Sequence, residues 1–154
     1  MAEPSVFIDT NIFLRIYVRD NETKAKDCEE VIQAMQNGKI HAVTSEIVIA
    51  EFVWTSLSFY KIQKLVVVQM MKAILSLPNL YVQGVADMLV AIELYEKHSI
   101  KFIDAIIASC ELIQLGNLPI LSYDKDFDKI EMNRYEPAEL LKRVYGNRSS
   151  PTDG

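Results

Sequence analysis

Three acidic residues stand as single charges inside apolar segments: Asp9 at the end of SVFID, Glu51 within IVIAEFVWTSLSFY, and Asp104 in FIDAIIA. A fourth acid, Asp124, follows the apolar PILSY and opens YDKDFDK, which also holds Asp126 and Asp128. Between positions 47 and 60 Glu51 is the only charge, and an unpaired buried charge is costly unless something compensates it. Carboxylates gathered in a low-dielectric crevice repel one another, and a divalent cation is the usual compensation. An all-oxygen ligand set suits Mg²⁺ or Mn²⁺. Zinc is disfavoured, because His41 and His98 are isolated and neither Cys-x-x-Cys nor His-Glu-x-x-His spacing occurs.

Taken alone, each acid also has a structural explanation. Asp9 could cap a helix starting near Thr10. Asp104 could serve the first turn of its helix, where the dipole favours a negative charge. Asp124, Asp126 and Asp128 fall in a segment whose simplest reading is a solvated turn. Glu51 is harder to explain this way: it is past the first turn of its helix, among Ile47, Val48, Phe52 and Trp54, with no cation close in sequence. Glu46 suits a first turn, and Glu111 lies about 10 Å along a helix from Asp104, so both are set aside.

The elements that must position these acids alternate between strand-like and helix-like patterns. Short strands are expected at residues 5–9, in KIHAVT, in LYVQG, in PILSYD and near residues 132–135. Ala25, Cys28, Val31, Ile32 and Met35 mark one helix, stopped at Asn37-Gly38, and Ser45 caps the helix that carries Glu51. Ile62, Leu65, Val66, Met70, Ala73 and Leu77 mark another, ended by Pro78. Val85, Met88, Leu89, Ile92 and Tyr95 form the stripe of the next. Ile103, Ile106, Ile107, Cys110 and Ile113 form that of a further helix, closed at Gly116-Asn117, and a short helical piece covers residues 126–129. Such alternation implies a mostly parallel sheet covered on both faces, with sites beyond the carboxyl ends of the strands. Asp9 and Asp124 end strands, and Glu51 and Asp104 lie in early turns of helices, so the four could converge.

The 154 residues, half of them hydrophobic, suit one domain. Residues 1–145 read as that domain and 146–154, GNRSSPTDG, as a disordered tail. No signal-peptide pattern opens the sequence and no apolar run reaches the ~18 residues of a membrane span, so the expectation is a cytoplasmic protein with no membrane association. Cys28 and Cys110 fit buried free thiols. A net charge of −5 argues weakly against nucleic-acid binding over the whole surface but leaves a local basic patch open.

FIDTNIFL, IAEFVW, FIDAIIA and ILSYDKDFDKI resemble, in order, the four acidic motifs of PIN-domain ribonucleases over residues 5 to about 142. The resemblance implies a three-layer α/β/α sandwich around a parallel, about five-stranded sheet, and cleavage of RNA with Mg²⁺ or Mn²⁺ by a metal-activated water. Carried over, Asp9, Glu51, Asp104 and Asp124 are the catalytic acids. Asp9, Asp104 and Asp124 would hold metal directly or through water, and Glu51 would orient a water or act as base. Asn11 and Ser122 would support them, with Asp126 as an additional candidate. Arg15, Arg19 and Lys125 are candidate RNA contacts at the rim, although ordinary solvated charge explains each equally well. A PIN domain of this size is most similar to VapC toxins, which a VapB-type antitoxin inhibits. Val66, Val67, Val68, Met70 and Met71 leave one helix apolar on more than one face, which with the resemblance implies a homodimer.

Other readings stay open on sequence alone. Within the resemblance, a housekeeping RNA-processing nuclease and a non-catalytic PIN-like binding module are the alternatives. An aspartyl-nucleophile phosphotransferase lacks a second Asp two residues after Asp9, and a receiver-like module would cluster its acids on early strands.

Overall fold

Five short parallel strands form the centre of the computed structural model, which describes residues 4–116 and 118–146. They are β1 (Ser5–Ile8), β2 (His41–Thr44), β3 (Leu80–Val82), β4 (Ile120–Leu121) and β5 (Arg134–Tyr135), in the spatial order β3-β2-β1-β4-β5. Ser5 pairs with His41, Phe7 with Ile120 and Ile120 with Arg134, so β1 is central. Val6, Phe7, Ile8, Ile120 and Leu121 are all buried, as expected for strands covered on both faces. From β1 the chain builds outward through β2 and β3, then returns to place β4 on the opposite side. The crevice between the carboxyl ends of β1 and β4 is therefore a topological switch point, the usual place for a site in an open parallel sheet.

The helices are α1 (Thr10–Tyr17), α2 (Glu22–Gln36), α3 (Glu46–Ser58), α4 (Lys64–Leu75), α5 (Met88–Lys97), α6 (Phe102–Ala108), α7 (Glu111–Gln114) and α8 (Pro137–Tyr145), with a 3₁₀ turn at Lys125–Ile130. Together with the sheet they make a three-layer α/β/α fold. Their starts follow local chemistry. Asn21 caps α2 through Lys24 N–H, Ser45 caps α3 through Val48 N–H, and Asp87 caps α5 through Leu89 and Val90 N–H. After α2, Gly38 takes φ +72°, the left-handed conformation that Asn37-Gly38 signals. Among the described residues, no helix is long and apolar enough to cross a membrane. Cys28 and Cys110 are free and buried.

Several expectations need correction. Helix α4 begins at Lys64 and ends at Leu75, so Ile62 and Leu77 pack against the core from outside it. The continuous helix expected over Ile103 to Ile113 is broken into α6 and α7 at Ser109 and Cys110, where Cys110 forms an antiparallel bridge with Ala86. The stripe Val85, Met88, Leu89, Ile92 and Tyr95 faces outward: Leu89 is 80% exposed, and within α5 only Ala91 is buried. Helix α5 packs beside α6 with Ala91 buried, Leu94 against the core and Tyr95 edge-on to Phe102 at 5.3 Å, while Leu89 and Ile92 remain at the surface. Helix α8 was not expected at all; Glu136 and Glu139 form a capping box around Pro137, and Leu140 and Leu141 enter the core. Asn117 and residues 147–154 of the expected tail at 146–154 lie outside the described residues, while Gly146 is the C-cap of α8.

Candidate active site

Asp9 leaves β1 straight into α1 as its N-cap. Its Oδ1 accepts the Thr10 N–H at 2.8 Å, and its Oδ2 accepts from Ser122 Oγ at 2.6 Å and from Asn11 Nδ2 at 3.1 Å. Asn11 also donates to Ser122 Oγ, and its Oδ1 accepts the Tyr123 N–H. Capping and site placement are thus both true of Asp9. Burial pushes its carboxyl up to about 6, against the lowering effect of the Ser122 and Thr10 hydrogen bonds; the negative charges of Glu51 and Asp124 add to the rise.

Asp104, in the first turn of α6, and Asp124, which caps the 3₁₀ turn through Asp126 N–H, approach from the other side of the crevice. A carboxylate oxygen from each of Asp104, Asp124 and Asp126 lies within 4.8 Å of the others. Lys101, the N-cap of α6, extends its ammonium to 3.0 Å from Asp124 Oδ2 and 3.6 Å from Asp104 Oδ2. Burial raises the Asp104 carboxyl; Lys101 opposes this, and Asp124, Asp9 and Glu51 reinforce it. Burial also acts to raise Asp124, but the Asp126 N–H and Lys101 outweigh it and hold that carboxyl below its usual range. The Lys101 ammonium is raised: its burial is outweighed by Asp124, Asp104 and Glu51.

Among the described residues, buried Asp104 Oδ2 has no hydrogen-bond partner. An orphaned buried carboxylate oxygen, two acids nearby and an all-oxygen donor set fit a hard divalent cation held by Asp104 and Asp124. Asp9, Asn11, Glu51, Lys101, Asp104 and Asp124 all line one cleft of about 190 Å³. A larger hollow of about 520 Å³ near Val85 and Gln114 contains Asp87, already used as the cap of α5, and Glu111, and has no comparable convergence.

The family model of the PIN domain matches residues 6–132. The chain belongs to the PIN domain family. Family membership supports a nuclease, since PIN domains generally are. No curated protein matches the sequence. Among solved structures, this PIN domain is similar to VapBC2 from Rickettsia felis bound to a DNA fragment from their promoter, with TM-score 0.61, 18% identity, and coverage of 86% of this chain and 98% of that one. It is also similar to a toxin–antitoxin complex from Klebsiella pneumoniae, with TM-score 0.56, 21% identity and coverage of 86% and 97%. For VapBC-1 from nontypeable Haemophilus influenzae the TM-score is 0.57, the identity 20% and the coverage 87% and 98%. At these identities the likeness speaks to the fold.

Within the PIN domain the expected acids reach the cleft by different routes. Glu51, in the second turn of α3, is half-buried rather than fully enclosed, and the neighbouring Trp54 is 69% exposed, so the cleft itself relieves its burial. Asp126 joins the Asp104–Asp124 group but is also paired with Lys129 at 2.8 Å. Asp9 lines the cleft yet lies outside that closest group, with both oxygens engaged. Arg15 pairs with Asp20, and Arg19 with Glu22 and Glu29, so both cations are directed to acids of α2 and the loop before it. Lys125 is exposed on the 3₁₀ turn. Sequence reasoning missed Lys101, whose one available signal was its position three residues before Asp104 on the same helical face.

Proposed function

We propose that this PIN domain is a Mg²⁺- or Mn²⁺-dependent ribonuclease that hydrolyses RNA phosphodiester bonds through attack of a water molecule. The observation that carries the reading is the convergence of Asp9, Glu51, Asp104 and Asp124 on one cleft at the switch point, with Asp104 Oδ2 buried and without a hydrogen bond among the described residues. A bound divalent cation would supply an acidified water and neutralise charge on the phosphate. Asp104 and Asp124 would hold it directly, with Asp9 as a third ligand, direct or through water. Asn11 and Ser122 fix the Asp9 carboxylate in one orientation. Glu51, half-buried and lining the cleft, would orient the attacking water and accept its proton. Asp126 contributes through water, and exposed Lys125 is the candidate contact for the RNA backbone, whereas Arg15 and Arg19 are held by Asp20 and by Glu22 and Glu29.

In the cell we read this chain as the VapC-like toxin of a type II toxin–antitoxin pair, cytoplasmic and inhibited by a VapB-type antitoxin. The likeness in fold to toxins in VapBC complexes supports this. So does the apolar surface left open on α4 and α5, where Leu65 and Leu89 are exposed, which suits a homodimer contact or a partner helix. The test is incubation of total RNA with wild-type and Asp104→Asn protein in Mn²⁺, Mg²⁺ or EDTA. Cleavage by wild type only, abolished by EDTA, is the expected result; equal cleavage by both proteins in EDTA would overturn the reading.

A further inference from the structure

We infer that Lys101 is a built-in counter-cation of the acid cleft that competes with the divalent metal for Asp104 and Asp124, and so sets the concentration at which the site loads. The inference rests on the metal-dependent reading above. Its ammonium bridges the two carboxylates whose oxygens, with one of Asp126, lie within 4.8 Å of one another. Among the described residues it is the one basic side chain lining the cleft. A divalent ion bound by Asp104 and Asp124 would need the same oxygens, and two cations drawn to one pair of carboxylates repel each other strongly at contact distance.

The local structure gives Lys101 no other employment. As the N-cap of α6 it provides no side-chain hydrogen bond to the helix, and a cation at a helix N-terminus opposes the dipole. Ser, Thr, Asp or Asn would serve that position better, so the lysine is locally unfavourable and its return lies in the contacts across the cleft. The two contacts also differ in kind. At 3.0 Å Asp124 is a charge-assisted hydrogen bond, whereas at 3.6 Å Asp104 Oδ2 receives charge but no hydrogen bond. Lys101 therefore neutralises the buried acid without satisfying it, leaving Asp104 available to a better ligand.

The side chain is suited to withdraw. It is 63% exposed, against 2% for Asp104, so its ammonium can return to water by rotating its own stem while the carboxylates stay fixed. Because the ammonium regains water as it leaves, a divalent cation can displace it from the two carboxylates, at the cost of weaker apparent metal binding. The role is that of a positioning residue for charge in the cleft, distinct from the acids that would hold the metal.

Mn²⁺ binding measured by the electron paramagnetic resonance signal of free Mn²⁺, on full-length protein without RNA, tests this directly. Lys101→Met keeps the stem and removes the charge, and should bind Mn²⁺ about tenfold more tightly than wild type. Lys101→Arg keeps the charge and should restore wild-type affinity to within about threefold. The rise in melting temperature on adding Mn²⁺ should be larger for Lys101→Met than for wild type, a readout independent of RNA cleavage and of folding yield. Equal or weaker binding by Lys101→Met, with wild type still binding Mn²⁺, would overturn the competitor role and leave the metal-dependent reading intact. Failure of both proteins to bind Mn²⁺ would overturn both.

Discussion

Ser122 and Asp9, 113 positions apart, are joined by a 2.6 Å hydrogen bond from the serine hydroxyl to the carboxylate. The same oxygen accepts from Asn11 Nδ2 at 3.0 Å and from the Asp124 N–H at 2.9 Å. A hydroxyl has one hydrogen to give and two lone pairs to accept with, so Ser122 Oγ is used completely. It locks the carboxyl ends of β1 and β4 together and orients both acids that flank the switch point.

Replacing that hydroxyl should therefore have consequences for stability as well as for the site. Ser122→Ala leaves three polar groups short of a partner and should lower unfolding free energy by about 1–3 kcal/mol. Ser122→Thr, which keeps the hydroxyl, should lose less than half as much. Chemical denaturation of the three proteins checks this, and an unchanged midpoint for Ser122→Ala would remove the locking role.

The raised Asp9 carboxyl makes a signed prediction for pH. Its folded value of about 6 lies above the ordinary 3.8, so the folded protein keeps a proton there that the unfolded chain has lost. The stabilising contribution is complete below about pH 4 and is lost as pH rises through about 6. Asn cannot ionise, so in EDTA the stability of Asp9→Asn relative to wild type should climb across that window and then level off. The climb should be on the order of 2–3 kcal/mol, from about 1.4 kcal/mol for each unit of displacement. Paired melting curves at successive pH values measure it; a flat difference would show that Asp9 is not held in the way described.

Asp124 and Asp126 should separate in activity. Asp124 reaches the cleft and contacts Lys101, while Asp126 is drawn toward Lys129. Asp124→Asn should reduce Mn²⁺-dependent RNA cleavage by roughly a hundredfold or more, and Asp126→Asn by about tenfold. Initial rates on a common RNA substrate decide, and the reverse order would reassign the fourth acid.

The apolar surface of α4 and α5 should be covered in solution. Leu65 and Leu75 on α4, and Leu89 and Ile92 on α5, are each more than half exposed, an arrangement that suits a contact between two copies. Light scattering of concentrated protein should give twice the monomer mass, and Leu65→Glu with Leu89→Glu should reduce it. A monomer at all concentrations would count against the homodimer.

What the sequence disclosed follows from which forces are local. Asp9, Asp104 and Asp124 sit beside strand ends and helix starts, whose apolar patterns and caps are written in neighbouring residues, so their convergence could be anticipated from topology. The break between α6 and α7 depends on Ala86 bridging to Cys110, a long-range pairing that no local periodicity records. The apolar stripe of α5 was legible as helical spacing, but spacing does not distinguish a face turned to the core from one turned outward. Helix α8 was locally legible too, since Glu136-Pro137 open it with capping chemistry and Leu140, Leu141 and Val144 follow at helical spacing, so no long-range pairing hid it. Lys101 looked like any surface lysine, because its importance comes from Asp124, which is distant in sequence.

The chemistry of the cut ends tests the central claim most directly. Water attack supported by carboxylates leaves 5′-phosphate and 3′-hydroxyl ends, whereas attack by the substrate's own 2′-hydroxyl leaves a 2′,3′-cyclic phosphate and needs an acid–base pair. His41 and His98 are both outside the set that lines the acid cleft. Mass spectrometry of RNA fragments produced by the wild-type protein in Mn²⁺ should therefore find 5′-phosphate and 3′-hydroxyl ends, absent from reactions with EDTA or Asp104→Asn. Cyclic phosphate ends, formed by wild type and lost in Asp104→Asn, would contradict it.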